Sequence, residues 1–311
     1  MPAKFSKLEW EGILAPILTP LTPDEQLDEG AFAAFAHKLL DEGQAGLYVT
    51  GGTGEEYGLD DAVRVEAFRL AARAARERGD GKKIIAHVGG VHLKRAVAMA
   101  RAAADAGCHA LAALPPHGGR YGFDDLTVYY RDLAAATPLP AFVYNIPVVT
   151  GLDLSREQLS RWLELPNVRG MKFTCTDMYK FERLATKHPE AALFHGHDPM
   201  LMHGVAVGAT GAIGSTYNVL GPLALRIFKA VRDGDLPTAR RAQGILNTFV
   251  EDFHACGRAR ALKAAVARRM GWKACVSPAP GSIPAPETVD RLDAALTRAL
   301  RAAEELTAVA M

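Results

Sequence analysis

The chain of 311 residues carries 36 lysines and arginines and 35 aspartates and glutamates, so its formal net charge is +1. This balance gives no reason to expect nucleic acid or a membrane as partner, and no apolar run approaches the roughly 20 residues of a membrane span. A hydrophobic fraction of 49% is typical of a globular protein with a sizeable core. The four widely spaced cysteines form no C-x-x-C pair, which argues against a zinc site or a disulfide scaffold and favours a cytoplasmic protein.

Apolar segments of strand length alternate with segments of helical period along most of the chain. The predicted strands cover residues 12–19, 46–50, 83–88, 110–114, 141–145, 168–174, 192–196 and 211–215. The predicted helices cover residues 28–43, 61–78, 92–106, 123–136, 155–164, 177–187, 199–207 and 219–233. Strand–helix repeats with short connections indicate a parallel sheet, and near-continuous apolar strands indicate that both of its faces are covered.

The number of repeats favours one α/β architecture. Eight strand–helix units in about 230 residues match a (β/α)8 TIM barrel, whose usual size is roughly 250 residues. A doubly wound sheet is disfavoured because no G-x-G-x-x-G opens a helix after the first strand. Residues 237–311 predict three further helices, interrupted at residues 277–281. We therefore expect a barrel over residues 1–236 and a C-terminal helical appendage over residues 237–311.

Lys172 is the strongest candidate for a reactive group. A barrel places its active site at the carboxyl ends of its strands, and Lys172 lies near the carboxyl end of the apolar sixth strand. Burial disfavours the charged form of an ammonium group, and an uncharged amine forms Schiff bases with ketones. The alternative is a lysine that buries its aliphatic chain and keeps its charge in water.

A glycine-rich turn follows the second strand at residues 51–54 and precedes a predicted helix. Glycines let backbone N–H groups approach a ligand closely, and the N-termini of helices attract anions. A carboxylate or a phosphate fits such a turn, although a nucleotide P-loop is excluded because no G-K-[ST] ending is present. The alternative is a simple tight connection between strand and helix.

Other strand ends add polar groups. Tyr144 ends the fifth strand, where a phenol can relay protons, or can simply line the barrel with its hydroxyl bonded to one partner. Asp198 and Ser215 follow neighbouring strands and can hydrogen-bond a polyol, or cap the helices that begin there. Single histidines at strand ends do not form a metal-ligand set, and we expect no metal.

In these motifs the chain resembles the dihydrodipicolinate synthase/N-acetylneuraminate lyase superfamily of pyruvate-dependent class I aldolases and dehydratases. The resemblance extends over about residues 8–300 and rests on residues 51–55, 144–147, 150–151, 170–174 and 211–218. The Lys-Phe-Thr and Gly-Ser-Thr-Tyr-Asn stretches look most like the N-acetylneuraminate lyase branch. Val149 stands where dihydrodipicolinate synthases carry an arginine, which argues against a role in lysine biosynthesis.

The resemblance implies a role for each motif residue. Lys172 would form the imine with the C2 carbonyl of pyruvate or another 2-oxo acid, and no further cofactor would be needed. Tyr144 would shuttle the proton, while Gly52 and Thr53 would hold the carboxylate through backbone N–H groups and the threonine hydroxyl. The family is typically a homotetramer built as a dimer of dimers. The remaining substrate contacts that the resemblance implies are Gly54, Thr174, Gly196, Asp198, Ile213 and Ser215, with Ile213 acting through its carbonyl.

Three departures from the family pattern affect these expectations. Gly52 stands where the lyase branch has serine, so one hydroxyl to the carboxylate is missing. The loop after the fourth strand has glycine in place of a relay tyrosine, which leaves His117 or Tyr121 as candidate replacements. Pro199 replaces an acidic residue that helps to bind the sialic acid tail, which argues against N-acetylneuraminate itself as the substrate.

The expected function is that of a Schiff-base lyase that cleaves or forms a C–C bond between pyruvate and an aldehyde in a 2-oxo sugar acid. A 2-keto-3-deoxy sugar acid dehydratase is the close alternative, because the same imine promotes loss of water. A non-catalytic barrel that acts as a sensor or binding module is the alternative from another class. The missing relay tyrosine favours this last reading, whereas the intact Lys172 and Tyr144 favour an enzyme.

Overall fold

Eight parallel strands form a closed barrel in chain order in the computed structural model, which describes residues 5–90, 92–116, 119–278 and 284–308. The strands are Gly12–Pro16 (β1), Gly46–Val49 (β2), Lys83–His87 (β3), Ala110–Ala113 (β4), Ala141–Asn145 (β5), Val168–Phe173 (β6), Ala192–His195 (β7) and Gly211–Ile213 (β8). Pairing of β8 with β1 closes the barrel. The predicted (β/α)8 TIM barrel is therefore confirmed.

Helices follow the strands as the sequence predicts, with small shifts in their bounds. They are Glu29–Asp41 (α1), Asp61–Arg78 (α2), Leu93–Asp105 (α3), Phe123–Ala134 (α4), Pro147–Thr150 (α5), Arg156–Leu163 (α6), Met178–Lys187 (α7), Leu201–Ala206 (α8) and Tyr217–Arg232 (α9). The single turn α5 was not predicted, because four residues are too few to show a helical period. Pro147 opens it, at the position where a missing N–H costs least.

Several predicted strands are longer than the strands that the barrel contains. The first was expected over residues 12–19, but β1 ends at Pro16. Ile17 still donates its N–H to the carbonyl of Tyr48 on β2 at 3.1 Å, and both Ile17 and Leu18 are fully buried. The apolar pattern here follows burial, which continues beyond the last residue of the strand.

Three further helices follow the barrel within the described residues, as predicted. They are Leu236–Ala255 (α10), Ala259–Met270 (α11) and Pro286–Ala308 (α12). Asp235 caps α10 by accepting a hydrogen bond from the backbone N–H of Thr238 at 3.0 Å. Helix α10 packs against both α9 and α12, so the C-terminal helices cover part of the barrel. None of the described helices is long and apolar enough to cross a bilayer.

The strand register determines which side chains share the barrel interior. Tyr144 of β5 lies beside Lys172 of β6, and Lys172 lies beside Phe194 of β7. Both neighbours belong to the cluster of buried side chains that fills the barrel, together with Tyr48 and Ile213. Because residues side by side on parallel strands point to the same face, Lys172 also points into the barrel.

Candidate active site

Lys172 is buried between two aromatic rings. Its side chain is 6% exposed, and its Nζ lies 4.3 Å from the ring centroid of Tyr144 and 4.7 Å from that of Tyr48. Aromatic faces attract a cation, and the two rings shield the Lys172 side chain from solvent. The structure thus brings the predicted nucleophile and the predicted proton relay together.

Tyr48 belongs to this site although the sequence analysis did not single it out. Its ring lies 6.1 Å from that of Tyr144 and 5.9 Å from that of His87. Burial raises the pKa of the Tyr48 hydroxyl well above its ordinary value, and the neighbouring Tyr144 adds to the effect. Tyr48 therefore stays neutral and contributes its ring, not a charge. The signal that could have found it is the strand alternation, which places Tyr48 on the inner face.

The glycine-rich turn joins two strand ends through a pair of hydroxyls. Residues Gly52–Gly54 form a single 3-10 turn after β2, and Thr53 Oγ1 lies 2.7 Å from Ser215 Oγ after β8. Thr19 Oγ1 donates to the carbonyl of Gly54 at 2.8 Å and so ties the turn to the segment after β1. Three of the predicted substrate contacts, Thr53, Gly54 and Ser215, therefore lie in one connected group.

One part of the prediction for this turn is wrong. The turn was expected to enter a helix, but α2 begins only at Asp61, because Glu55 adopts a left-handed conformation with φ of 63° and ends the 3-10 turn. The N-terminus of α2 is therefore not the anion attractant. Any anion at this turn depends on the N–H groups of the turn itself and on the Thr53 hydroxyl.

Gly196 and Thr174 stand next to the lysine. A Cβ atom on Gly196 would lie 2.0 Å from Thr174 Oγ1 and 3.1 Å from Lys172 Cε, so only glycine fits there. The Oγ1 atom of Thr174 is shielded from solvent and has no hydrogen-bond partner among the described residues. A buried hydroxyl without a partner is costly unless a ligand satisfies it. The predicted contact of Thr174 with a substrate hydroxyl stays a prediction.

Asp198 connects the loop after β7 to the loop after β8 and to α10. Its Oδ2 accepts hydrogen bonds from the backbone N–H of Thr216 at 2.8 Å and from Thr216 Oγ1 at 2.7 Å, and its carbonyl accepts from Gln243 Nε2 of α10 at 3.2 Å. These bonds hold the loop after β8, which carries Ser215. The hydrogen bonds from Thr216 occupy Oδ2 only, so the predicted contact of Asp198 with a polyol stays a prediction.

The strand-end histidines lie in different environments. His195 is fully buried beside Phe181 of α7, and burial lowers the pKa of His195 to about 4, so it is neutral at physiological pH. His87 accepts a hydrogen bond from the N–H of Leu114 at 3.1 Å. Within the described ranges, no cluster of histidine, cysteine, aspartate or glutamate has the geometry to hold a metal ion.

The structure describes some of the positions at which the chain departs from the family pattern. His117 lies outside the described residues. Tyr121 is 40% exposed, so its proposed use as a relay stays a prediction. Pro199 lies in the 3-10 turn Asp198–Met200 directly after β7, and Val149 lies on α5 with 54% of its surface exposed.

A separate cavity of about 680 Å³ lies at the opposite end of the barrel, where Trp10, Lys83 and Asn167 line it. Barrels of this architecture place their chemistry at the carboxyl ends of the strands. We therefore assign the site to the end that holds Lys172, Tyr144 and Thr53.

A closed barrel with a buried lysine on its sixth strand, a tyrosine on the fifth and a hydroxyl-bearing glycine turn after the second is the arrangement that the sequence predicts for a lyase of the pyruvate-dependent superfamily. The sequence profile of the Dihydrodipicolinate synthetase family matches residues 9–297, and the chain belongs to this family. The predicted resemblance is confirmed, and the chain is a lyase of the class I, pyruvate-dependent aldolase type that this superfamily contains.

Known relatives point in the same direction. The chain is 34% identical over 254 residues to the N-acetylneuraminate lyase of Escherichia coli strain SMS-3-5, covering 81% of this chain and 84% of that protein. Among solved structures, it resembles CdNal from Clostridium difficile in complex with mannosamine, with a TM-score of 0.87, 28% identity, and coverage of 93% and 98% of the two chains. N-acetylneuraminate lyase from Mycoplasma synoviae matches with a TM-score of 0.85 and 28% identity over 94% of this chain and 98% of that one.

Proposed function

We propose that this lyase acts on a 2-oxo sugar acid, which it cleaves to pyruvate and an aldehyde or forms from them, through an imine on Lys172. The observation that carries the proposal is the burial of the Lys172 amine between the Tyr48 and Tyr144 rings. The hydroxyl pair of Thr53, after β2, and Ser215, after β8, supports it.

The first step forms the covalent intermediate. The Lys172 amine attacks the C2 carbonyl of the 2-oxo acid, and the resulting carbinolamine loses water to give the imine. The turn N–H groups of Gly52 and Thr53, with the Thr53 hydroxyl, hold the substrate carboxylate. This anchor fixes C2 relative to the amine, so the two reacting atoms meet in a defined orientation.

The second step breaks the carbon–carbon bond. Tyr144 takes the proton of the C4 hydroxyl and gives its own phenol proton to the imine nitrogen as the C3–C4 bond breaks, and the bonding electrons move into the imine to give an enamine and a free aldehyde. Tyr144 then gives a proton to C3 and takes the proton on nitrogen, which restores the imine, and water hydrolyses the imine to release pyruvate and the Lys172 amine. All atoms and electrons balance without another reactant, so we propose that the enzyme uses no metal or organic cofactor.

Tyr144→Phe separates the proton transfer from imine formation. Loss of a positioned general acid–base typically costs about 10²–10⁴-fold in rate, and we expect kcat to fall within this range. The ring that packs against Lys172 remains, so pyruvate should still form a borohydride-reducible adduct. Pyruvate release in a coupled assay measures kcat, and a variant within threefold of the parent enzyme would rule out Tyr144 as the proton relay.

The sugar half of the substrate is proposed from the polar groups at the site and from the relatives. Two of the relatives are named N-acetylneuraminate lyases, and one structure contains mannosamine. Thr174 and Ser215 offer hydroxyls for a hydroxylated chain, whereas Pro199 offers no acidic group. We therefore expect a higher kcat/KM for 2-keto-3-deoxy sugar acids than for N-acetylneuraminate.

A substrate panel tests this proposal and its alternatives. Each sugar acid is incubated with the enzyme, and the products are identified by mass spectrometry. Release of pyruvate and an aldehyde supports the aldolase, whereas a 2-oxo acid that has lost water without pyruvate release supports the dehydratase. No turnover of any 2-oxo acid would favour the non-catalytic barrel instead.

The proposal also includes the oligomeric state and the cellular location of the protein. We propose a homotetramer, because the family to which the chain belongs typically forms a dimer of dimers. Light scattering of the purified protein tests it, and a monomer mass would contradict it. A cytoplasmic location is supported by the balanced charge and the widely spaced cysteines of the sequence.

A further inference from the structure

Glu56 is an ionisable group beside the carboxylate turn that the mechanism above does not use. Its Oε2 atom is shielded from solvent and has no hydrogen-bond partner among the described residues. If Gly52 carried a Cβ atom, the nearest atom to it would be Glu56 Oε2, at 3.8 Å. The Glu56 carboxyl therefore lies next to position 52, where the lyases that the chain resembles carry a serine hydroxyl.

The backbone holds Glu56 in this place. Its N–H donates to the carbonyl of Gly51 at 3.3 Å, which fixes the start of the side chain against the turn. The preceding Glu55 points elsewhere, because its carboxylate contacts Lys263 of α11. Of the two adjacent glutamates, Glu56 is thus the one that faces the turn.

The surroundings of Glu56 favour its protonated form near neutral pH. Burial raises the pKa of Glu56 to about 7, although a hydrogen bond from the backbone of Glu56 and the charges of Arg64 and Lys172 act in the opposite direction. The other titratable groups that face it are Tyr48 and Tyr57. The pKa of each of these tyrosines is raised by burial and further by Glu56, so both stay neutral here.

We propose that protonated Glu56 donates a hydrogen bond to the carboxylate of the bound 2-oxo acid and so replaces the serine hydroxyl that Gly52 lacks. The inference rests on the proposed function, because it takes a 2-oxo acid as the ligand. A protonated carboxyl supplies one O–H donor, whereas the ionised form offers only acceptors and repels the substrate anion. Glu56 is then a binding residue whose protonation state controls substrate affinity.

The pH dependence of pyruvate binding tests the inference. Since the protonated form binds and the folded pKa is about 7, the affinity for pyruvate should fall as pH rises, by about tenfold or more between pH 7 and 8.5. Glu56→Gln keeps the shape and carries a permanent N–H donor, so it should lack this fall. Affinity is measured as the pyruvate concentration that gives half of the maximal borohydride trapping. At each pH this concentration for the parent enzyme is divided by that for Glu56→Gln, which cancels the pH dependence of imine formation itself.

A paired variant tests the replacement directly. Glu56→Ala removes the donor and should weaken pyruvate binding at pH 7 by about tenfold, the typical effect of one charge-assisted hydrogen bond. Adding Gly52→Ser restores the hydroxyl of the related lyases, and the 3.8 Å clearance leaves room for its Cβ. The double variant should recover affinity and show no fall with pH above 7.

The outcomes separate this inference from the function on which it rests. If pyruvate is trapped in the parent enzyme but Glu56→Gln and Glu56→Ala match it in affinity and pH profile, the inference is overturned and the imine mechanism stands. If the parent enzyme traps no pyruvate at all, the proposed function fails and the inference fails with it.

Discussion

Lys172→Met is expected to lower kcat by about 10⁴-fold or more, the order of loss seen when an essential covalent nucleophile is removed. Without the amine no imine forms, and the electrons of the breaking C3–C4 bond have no acceptor. Methionine keeps an unbranched side chain of similar length between the Tyr48 and Tyr144 rings. Methionine is also apolar and flexible, so the fold is expected to persist.

The matched control is another lysine-to-methionine change. Lys229 is exposed on α9, and Lys229→Met should keep the kcat of the parent enzyme. Pyruvate release measures activity, and thermal unfolding confirms that both variants are folded. A folded Lys172→Met protein that retains more than a few per cent of the parent kcat would show that the amine is not the nucleophile.

Glu55→Gln is expected to lower the free energy of unfolding by about 3–5 kcal/mol, the cost of leaving a buried charge without its partner. Lys263 Nζ lies 2.6 Å from Glu55 Oε2, and both side chains are only 2% exposed. Ser277 Oγ donates to the other carboxylate oxygen, and Lys263 also donates to the carbonyl of Val276 at 2.5 Å. The pair therefore ties α11 and the segment after it to the glycine-rich turn.

Two further variants isolate the buried pair. Glu55→Gln combined with Lys263→Met removes both charges, so part of the lost stability should return. Asp290→Asn breaks the exposed pair with Arg268 and should change stability by less than about 1 kcal/mol. Urea unfolding measures all of them. If Glu55→Gln lies within 1 kcal/mol of the parent protein, Glu55 does not anchor the turn.

The sequence alone predicts the fold and predicts that Lys172 and Tyr144 lie side by side. Strand–helix periodicity predicts the barrel, and in a parallel barrel consecutive strands are neighbours. Residues near the ends of the fifth and sixth strands therefore lie side by side, as the register of β5 and β6 shows. This inference needs only the order of the strands along the chain and the residues at which they end, and the apolar pattern predicts both.

The two adjacent glutamates show what periodicity could not predict. Glu55 and Glu56 follow the same turn, but one contacts α11 and the other faces Gly52. Their directions depend on the left-handed conformation of Glu55, which no residue pattern indicates for a glutamate. Asp198 is similar, because its partner Thr216 lies 18 residues away along the chain. Such contacts are set by how loops from separate strands pack together.

The central claim is that Lys172 forms an imine with a 2-oxo acid, and one measurement tests it most directly. The protein is incubated with pyruvate and borohydride, and intact mass and peptide mapping locate any adduct. We predict one reduced pyruvate adduct per chain, on Lys172, and none in Lys172→Met. The absence of an adduct from the parent protein, or its persistence in Lys172→Met, would contradict the account.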